Sequence, residues 1–169
     1  MKLIEHMKIL NQPMNQSNIL FSKHLTYEKA NCSNTNRPNV RQKKALQILG
    51  TGFYDRLYEE FGDRVLILDC FRSKHLCQQL GRKIGPHTEG TAMDITSIDD
   101  NLPNNELFEY IYHNYPYDCI VWSGAFEEGW CTNESPLWIH ISLKKLHNRK
   151  IAYREHLSSG TKIIKQIYR

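Results

Sequence analysis

The spacing of apolar residues predicts a long helix in the first half of the chain. Over residues 41–61, RQKKALQILGTGFYDRLYEEF, apolar side chains recur every three or four positions, which is the stripe of an amphipathic helix. The apolar positions are Leu46, Leu49, Phe53, Leu57 and Phe61. Gly50 and Gly52 lower the helical propensity inside this stretch, and Gly62 supplies a stop.

Four short runs have the pattern of β-strands. RVLILDCF at 64–71 is apolar and rich in branched residues, which predicts a buried strand. TAMDITS at 91–97 alternates between two faces, as a strand does. YDCIVWS at 117–123 and LWIHISL at 137–143 predict an antiparallel pair joined by a long, glycine-containing connection.

Two more helices are expected between these strands, a short one over 74–82 and another over 103–115, where apolar residues again recur at helical spacing. The order helix, strand, helix, strand, helix, strand, strand predicts an α+β domain with helices packed on a small, mostly antiparallel sheet. The 169 residues suffice for one such core, and the 40% hydrophobic and 24% charged content is that of a folded globular protein.

Positive charge is concentrated at the C-terminal end. The net charge is +4, but residues 143–169 contain eight Lys or Arg against one acid, Glu155, so this part carries +7 and the rest −3. Such a segment can attract a polyanion, for example an anionic cell-wall polymer. A solvated helix face is the favoured interpretation. Nucleic acid is not an expected partner, because no aromatic-interleaved or glycine-rich binding motif accompanies the charge.

The first 20 residues predict neither a secretion signal nor a membrane span, because polar residues interrupt every apolar run. The five cysteines are an odd number without CxxC spacing, so free thiols in a reducing cytoplasm are expected rather than disulfides or a zinc knuckle. These residues are Cys32, Cys70, Cys77, Cys119 and Cys131.

Three residues have side chains that can bind a metal ion. His87 and Asp94 lie in PHTEGTAMDI, and His140 lies in LWIHISL. Catalytic zinc commonly takes three protein ligands of this kind and keeps a fourth position for water. Gly90 would let the chain turn from a loop carrying His87 into the strand, and Ala92 would leave room beside Asp94. The alternative is that His140 is a hydrogen-bonded core histidine.

Taken together, these segments resemble the zinc D-alanyl-D-alanine carboxypeptidase family, which includes phage endolysins and L-alanyl-D-glutamate endopeptidases that cut peptidoglycan stem peptides. HTEGTAMD has the form HxxGxAxD, and WIHIS follows it. LTYEKANCSNTNRPN, LILDCFRS and YDCIVW resemble further family segments in the same order. The resemblance covers residues 21–143 and implies a Hedgehog/DD-peptidase-like fold. Residues 1–20 are then an N-terminal extension and 144–169 a basic C-terminal segment.

The resemblance implies zinc bound by His87, Asp94 and His140, and an electrostatic role in catalysis for Arg72. It implies metal-assisted hydrolysis of an amide bond in a peptidoglycan stem peptide, by a carboxypeptidase or an endopeptidase. The protein would then be a monomeric phage-type lysis enzyme, made in the cytoplasm of the bacterial host and acting on the wall after release.

Two positions lack an acid that family members carry. Leu137 stands three residues before the last histidine, and Ser123 ends the YDCIVW strand. The general base is therefore expected at Glu134, with Glu127 or Glu128 as alternatives. The same substitutions favour a second function, a virion structural or assembly protein that keeps a peptidase-like fold with reduced or no catalytic activity.

Overall fold

A six-stranded sheet organises the computed structural model, which describes residues 19–124, 135–144, 147–158 and 161–168. Its strands are β1 (Val65–Asp69), β2 (Ala92–Ser97), β3 (Cys119–Ser123), β4 (Trp138–Ser142), β5 (Ile151–Ser158) and β6 (Thr161–Tyr168). They lie in the order β1-β2-β4-β3-β5-β6. All neighbours are antiparallel except β3 and β5, so the mostly antiparallel α+β prediction is confirmed.

Helices fill the segments in which helical spacing predicted them. The described helices are α1 (Val40–Leu49), α2 (Asp55–Phe61), α3 (Lys74–Gln79), α4 (Pro86–Glu89) and α5 (Asn104–Asn114). A π-helical turn, Gly50–Tyr54, joins α1 to α2. Asn39 caps α1 reciprocally with Gln42, each side chain accepting a hydrogen bond from the other residue's backbone N–H.

Gly50 lies within the continuous helical stretch, at a point where the backbone closely approaches Ser22. A Cβ at this position would clash with Ser22 Oγ, so a larger residue would force the two segments apart. Ser22 Oγ donates to Asp55 Oδ1 over 2.7 Å, which ties the residues before α1 to the start of α2. The predicted helix over 41–61 is thus confirmed, with a π-helical turn at its glycines.

The core lies between one face of the sheet and the helices α1, α2 and α5. Its buried members include Leu46, Phe53, Leu57, Phe108, Met93, Ile95, Ile120, Ile139 and Ile141. Each fully buried side chain of this size stabilises the fold by roughly 1.5–3 kcal/mol. Because successive strand residues face opposite sides, burial of Met93 and Ile95 directs Asp94 to the other face. Ile139 and Ile141 do the same for His140.

Strand β1 differs from the buried strand that its composition predicted. It lies at one edge of the sheet and pairs with β2. Val65 is buried, but Leu66 and Leu68 are 42% and 49% exposed. An apolar run cannot reveal which of its faces remains uncovered, so the burial prediction was wrong for this face.

Strands β5 and β6 overturn the interpretation of the basic segment as a helix face. β5 pairs with β3 in parallel, and β6 pairs with β5. Ala152 and Glu155 of β5 are buried, with relative exposures of 0% and 7%. The sequences IAYREHLS and TKIIKQIY do contain the branched and aromatic residues of strands. The high Lys and Arg content of residues 143–169 favoured a solvated helix instead.

The described cysteines match the free-thiol prediction. Cys32, Cys70, Cys77 and Cys119 are free, and Cys131 lies outside the described residues. Burial raises the pKa of Cys32 to about 12 and that of Cys119 to about 11. Within the ranges that the structure describes, no helix combines the length and the apolar character needed to cross a membrane.

Candidate metal centre

Three potential ligand atoms from separate segments meet on the face of strands β2 and β4 that points away from the core. His87 Nε2 is 3.2 Å from His140 Nδ1 and 3.3 Å from Asp94 Oδ1, and the last two atoms are 2.7 Å apart. Helix α4 carries His87, β2 carries Asp94 and β4 carries His140. The β2–β4 register places Asp94 directly opposite His140. This group can hold a metal ion.

The spacing of the three atoms suits a tetrahedral ion. With metal–ligand bonds of ~2.0–2.1 Å, two tetrahedral ligands lie ~3.3–3.4 Å apart. The two distances from His87 Nε2 are close to this value, and the shorter third distance is the hydrogen bond between His140 and Asp94. Among the described residues, no other group of three or more His, Cys, Asp or Glu side chains brings its ligand atoms this close together.

The carbonyl of Cys70 determines which nitrogen of His87 faces the group. His87 Nδ1 lies 2.6 Å from Cys70 O, and a carbonyl oxygen can only accept, so Nδ1 carries the proton. Nε2 therefore faces Asp94 and His140, and in the neutral imidazole it offers them the lone pair that a metal ion would need. Contacts of this kind commonly orient histidines that bind metals. With 7% exposure, His87 is also held by its surroundings.

Helix α4 is fixed by backbone contacts around His87. Gln42 Nε2 donates to Thr88 O over 2.8 Å, and Arg72 N donates to His87 O over 3.2 Å. Gly90 ends the helix with φ +75°, and a Cβ there would lie 2.9 Å from Gln42 O. The predicted turn at Gly90 is therefore confirmed, although His87 lies in a helical turn and not in a loop.

The two histidines keep Asp94 ionised. Burial raises the pKa of this carboxyl, but hydrogen bonds and charge interactions with His140 and His87 outweigh burial and hold the pKa well below its usual range. A deprotonated carboxylate is the form that binds a metal. The side chains of Asp94 and His140 remain 18% and 19% exposed, so solvent reaches one side of the group.

Arg72 contacts the metal centre through its backbone, since its N–H donates to the carbonyl of His87. Its Nε is 3.0 Å from Asp69 Oδ2 in an ion pair, but this N–H is not aligned for a hydrogen bond. Asp69 pairs across the strands with Asp94, at an irregularity of the β1–β2 register. Asp69 and Arg72 both line an open cleft of about 610 Å³.

The three candidates for the general base, Glu134, Glu127 and Glu128, lie outside the described residues. The two positions that lack the acids of the family are described. Leu137 is 49% exposed just before β4, and its N–H donates to the carbonyl of Ser123, which is 2% exposed.

Sequence reasoning missed four residues that support the site: Asn36, Gln42, Asp69 and Cys70. Cys70 acts through its carbonyl and Gln42 through a bond to a backbone carbonyl, and such contacts leave no motif. Asp69 precedes Arg72 by three residues, but outside a helix this spacing predicts no side-chain contact.

Comparison with known proteins gives no match: no family model, curated protein or solved structure matches the chain. Its function is therefore inferred from the residues of the site and their geometry.

Proposed function

We propose that the protein is a zinc-dependent peptidase that hydrolyses amide bonds in peptidoglycan stem peptides, with a Hedgehog/DD-peptidase-like fold and a role as a phage-type lysis enzyme. One observation carries the proposal. The HxxGxAxD and WIHIS motifs bring three potential ligand atoms within 3.3 Å of one another. These atoms are His87 Nε2, Asp94 Oδ1 and His140 Nδ1. This convergence supports the ligand set that the resemblance implies.

The donor set is appropriate for zinc. Two imidazole nitrogens and a carboxylate oxygen form a common catalytic zinc site, and solvent access on one side leaves space for water and substrate. When bound, zinc supplies a Lewis acid and lowers the pKa of a bound water from about 15.7 toward ~7. The chain contributes a preformed set of ligands, in which Cys70 O orients His87 and the sheet register orients the other two.

Arg72 is proposed to bind the substrate's scissile carbonyl oxygen, where negative charge develops, or a substrate carboxylate. Its side chain lines the cleft and is 15% exposed, and a guanidinium offers fixed donors to such an oxygen or carboxylate. Glu134 is proposed to take the proton from the attacking water and to deliver it to the leaving amine, with Glu127 or Glu128 as alternatives.

A second function, a virion structural or assembly protein with a peptidase-like fold, is favoured by Ser123 and Leu137. Neither side chain can serve as a carboxylate base, and both stand where family members carry acids. Loss of a general base typically reduces catalysis by ~10²- to 10⁴-fold. A fold that retained its metal ligands without such a base would bind zinc and cut slowly.

Zinc content and cleavage of purified sacculi test the two functions together. The peptidase proposal expects one zinc per chain and release of stem-peptide fragments that a chelator abolishes. His140→Ala should remove both, whereas His113→Ala, which changes an exposed histidine on α5 outside the metal centre, should change neither. Folded, zinc-loaded protein that releases no fragments would support the virion role.

The basic C-terminal segment is proposed to attract the protein to an anionic wall polymer. Truncation is a poor test, because Ala152 and Glu155 of β5 are buried and their loss would damage the sheet. The double substitution Lys162→Glu with Lys165→Glu lowers the charge of residues 143–169 from +7 to +3 and keeps the chain length. It should weaken co-sedimentation with sacculi at low salt and leave hydrolysis of a soluble peptide unchanged. Unchanged co-sedimentation would refute the attraction.

A further inference from the structure

We propose that Asn36 is a positioning residue for Arg72, which it serves by holding the backbone on both sides of this arginine. The inference rests on the proposed function, since it concerns how Arg72 meets a substrate. It adds a residue that belongs neither to the HxxGxAxD and WIHIS motifs nor to the metal centre.

The side-chain amide of Asn36 forms hydrogen bonds with the backbone on both sides of Arg72 and with its own loop. Nδ2 donates to Phe71 O over 2.9 Å and to Asn31 O over 2.7 Å, and Oδ1 accepts from Ser73 N over 2.7 Å. Phe71 and Ser73 are the two chain neighbours of Arg72. One buried amide, 5% exposed, therefore clamps the peptide groups before and after this arginine.

Asn36 is itself held in place by its own loop. Its N–H donates to Ser33 Oγ over 3.0 Å, and its carbonyl accepts from Ser33 N over 3.2 Å. The bond from Nδ2 to Asn31 O closes the same loop. The clamp is therefore fixed independently of the segment that it holds.

The clamped segment is attached on its other side to the metal ligand His87. Cys70 O accepts from His87 Nδ1 over 2.6 Å, and Arg72 N donates to His87 O over 3.2 Å. The backbone from 70 to 73 is thus held between Asn36 and a residue of the metal centre. This arrangement fixes where the Arg72 side chain starts relative to the metal.

Arg72 lies at an open cleft whose lining does not include His87, Asp94 or His140, so a peptide bound at the metal centre would have to extend into this cleft to meet the arginine. Asn36, Arg72 and His75 line it, and Asp69 pairs with the arginine at its edge. A long side chain such as arginine contributes to catalysis only if its donors are aimed correctly, and a displacement of ~1 Å can cost ~10²-fold in rate. Asn36 removes one source of displacement, movement of the backbone from which Arg72 projects.

A double-mutant cycle on a soluble stem peptide tests the inference. Asn36→Ala should lower kcat/KM by roughly 10- to 100-fold, as expected for a misplaced catalytic group. In an Arg72→Ala background the same change should have almost no further effect, because the residue through which Asn36 acts is gone. Zinc affinity should fall far less than kcat/KM, because Asn36 bonds to Phe71 O and Ser73 N and not to Cys70 O, which orients His87.

A second readout does not depend on turnover. Binding of the same peptide to the metal-free protein, measured by calorimetry, should be weakened similarly by Arg72→Ala and Asn36→Ala. If the alanine variant does not fold, Asn36→Asp replaces it in the same binding measurement. It keeps the acceptor for Ser73 N but turns an oxygen toward Phe71 O, so it should behave like Asn36→Ala.

Ser22→Ala provides a control for general loss of stability. It removes part-buried hydrogen bonds to Asp55 and Leu25, away from the 70–73 segment, and should leave kcat/KM within ~2-fold of wild type. Equal losses from the Asn36 change in both Arg72 backgrounds, or no loss, would overturn the positioning role alone. A zinc-loaded wild type that does not cleave the peptide would overturn the proposed function and this inference with it.

Discussion

His140 Nδ1 lies 2.7 Å from Asp94 Oδ1, and the two residues are directly opposite each other on β4 and β2. Their strand neighbours Ile139 and Ile95 are fully buried in the core on the other face. A slip of one residue in either strand would exchange the two faces and bury a charged ligand. The packing that stabilises the sheet therefore also orients two of the three potential metal ligands.

Replacing Asp94 with asparagine should remove most of the metal affinity. The amide has nearly the same shape but lacks the negative oxygen that the ion requires. The loss should exceed the ~10–100-fold that supporting contacts typically contribute. Competition for Zn²⁺ against a chromophoric chelator measures it. Asp99→Asn, at an acid paired with Arg64 outside the metal centre, should bind like wild type. Equal affinities for all three proteins would place the metal elsewhere.

Gly90→Ala should destabilise the fold more than Gly81→Ala. Both glycines have positive φ, +75° and +61°, so each substitution carries a similar backbone cost of roughly 1–2 kcal/mol. A Cβ at Gly90 would also meet Gln42 O at 2.9 Å, whereas nothing lies within 4 Å at Gly81. The close contact should add about 1–3 kcal/mol. Urea unfolding measures both values, and equal losses would show that α4 has room to move.

The motif positions were predictable because each is local. Alternation assigned Asp94 and His140 to strands, and HxxGxAxD added His87 and Gly90. The structure brings these three potential ligands together. The sequence could not predict that Cys70 O and Asn36 support them, because these contacts join segments through backbone atoms and appear only after the chain has folded.

The C-terminal strands show the opposite difficulty. Eight Lys or Arg over residues 143–169 suggested a solvated helix face, yet β5 lies beside β3 with Ala152 in the core. Charge reports where a side chain can be solvated, and a strand near the edge of a sheet can solvate one face as well as a helix can. The pairing of β3 with β5 in parallel depends on tertiary contacts that no local pattern encodes.

Asp118→Asn should lower stability at neutral pH and lose this effect in acid. Asp118 is 2% exposed and accepts from Arg149 Nε and Nη2 over 2.9 and 2.7 Å. Hydrogen bonds from Arg149 outweigh burial and lower the pKa of Asp118. Because the folded pKa lies below the unfolded value of about 3.9, the stabilisation is complete above that pH and disappears as pH falls through the folded pKa.

The difference in unfolding free energy between wild type and Asp118→Asn should be roughly 1–3 kcal/mol at pH 7. The lower half of this range is expected, because the Arg149 side chain is 51% exposed and water screens its charge. Urea unfolding from pH 7 down to about pH 3 should show the difference shrink below ~4. Asp100→Asn, at an exposed acid, should show almost none. A constant difference would mean that packing, not charge, is responsible.

Cys70→Ala should reduce stability but retain the metal, because only the backbone carbonyl of Cys70 contacts His87. Burial raises the pKa of this fully buried thiol well above its ordinary value, so the side chain stays protonated and offers no thiolate. Removing its sulfur should cost roughly 0.5–1.5 kcal/mol, as deletion of a buried methyl group does. Cobalt-loaded wild type should show no thiolate charge-transfer band, and zinc affinity should change by less than ~2-fold in the variant. A thiolate band that disappears in Cys70→Ala, together with loss of the metal, would make sulfur a ligand and refute the two-histidine, one-aspartate centre.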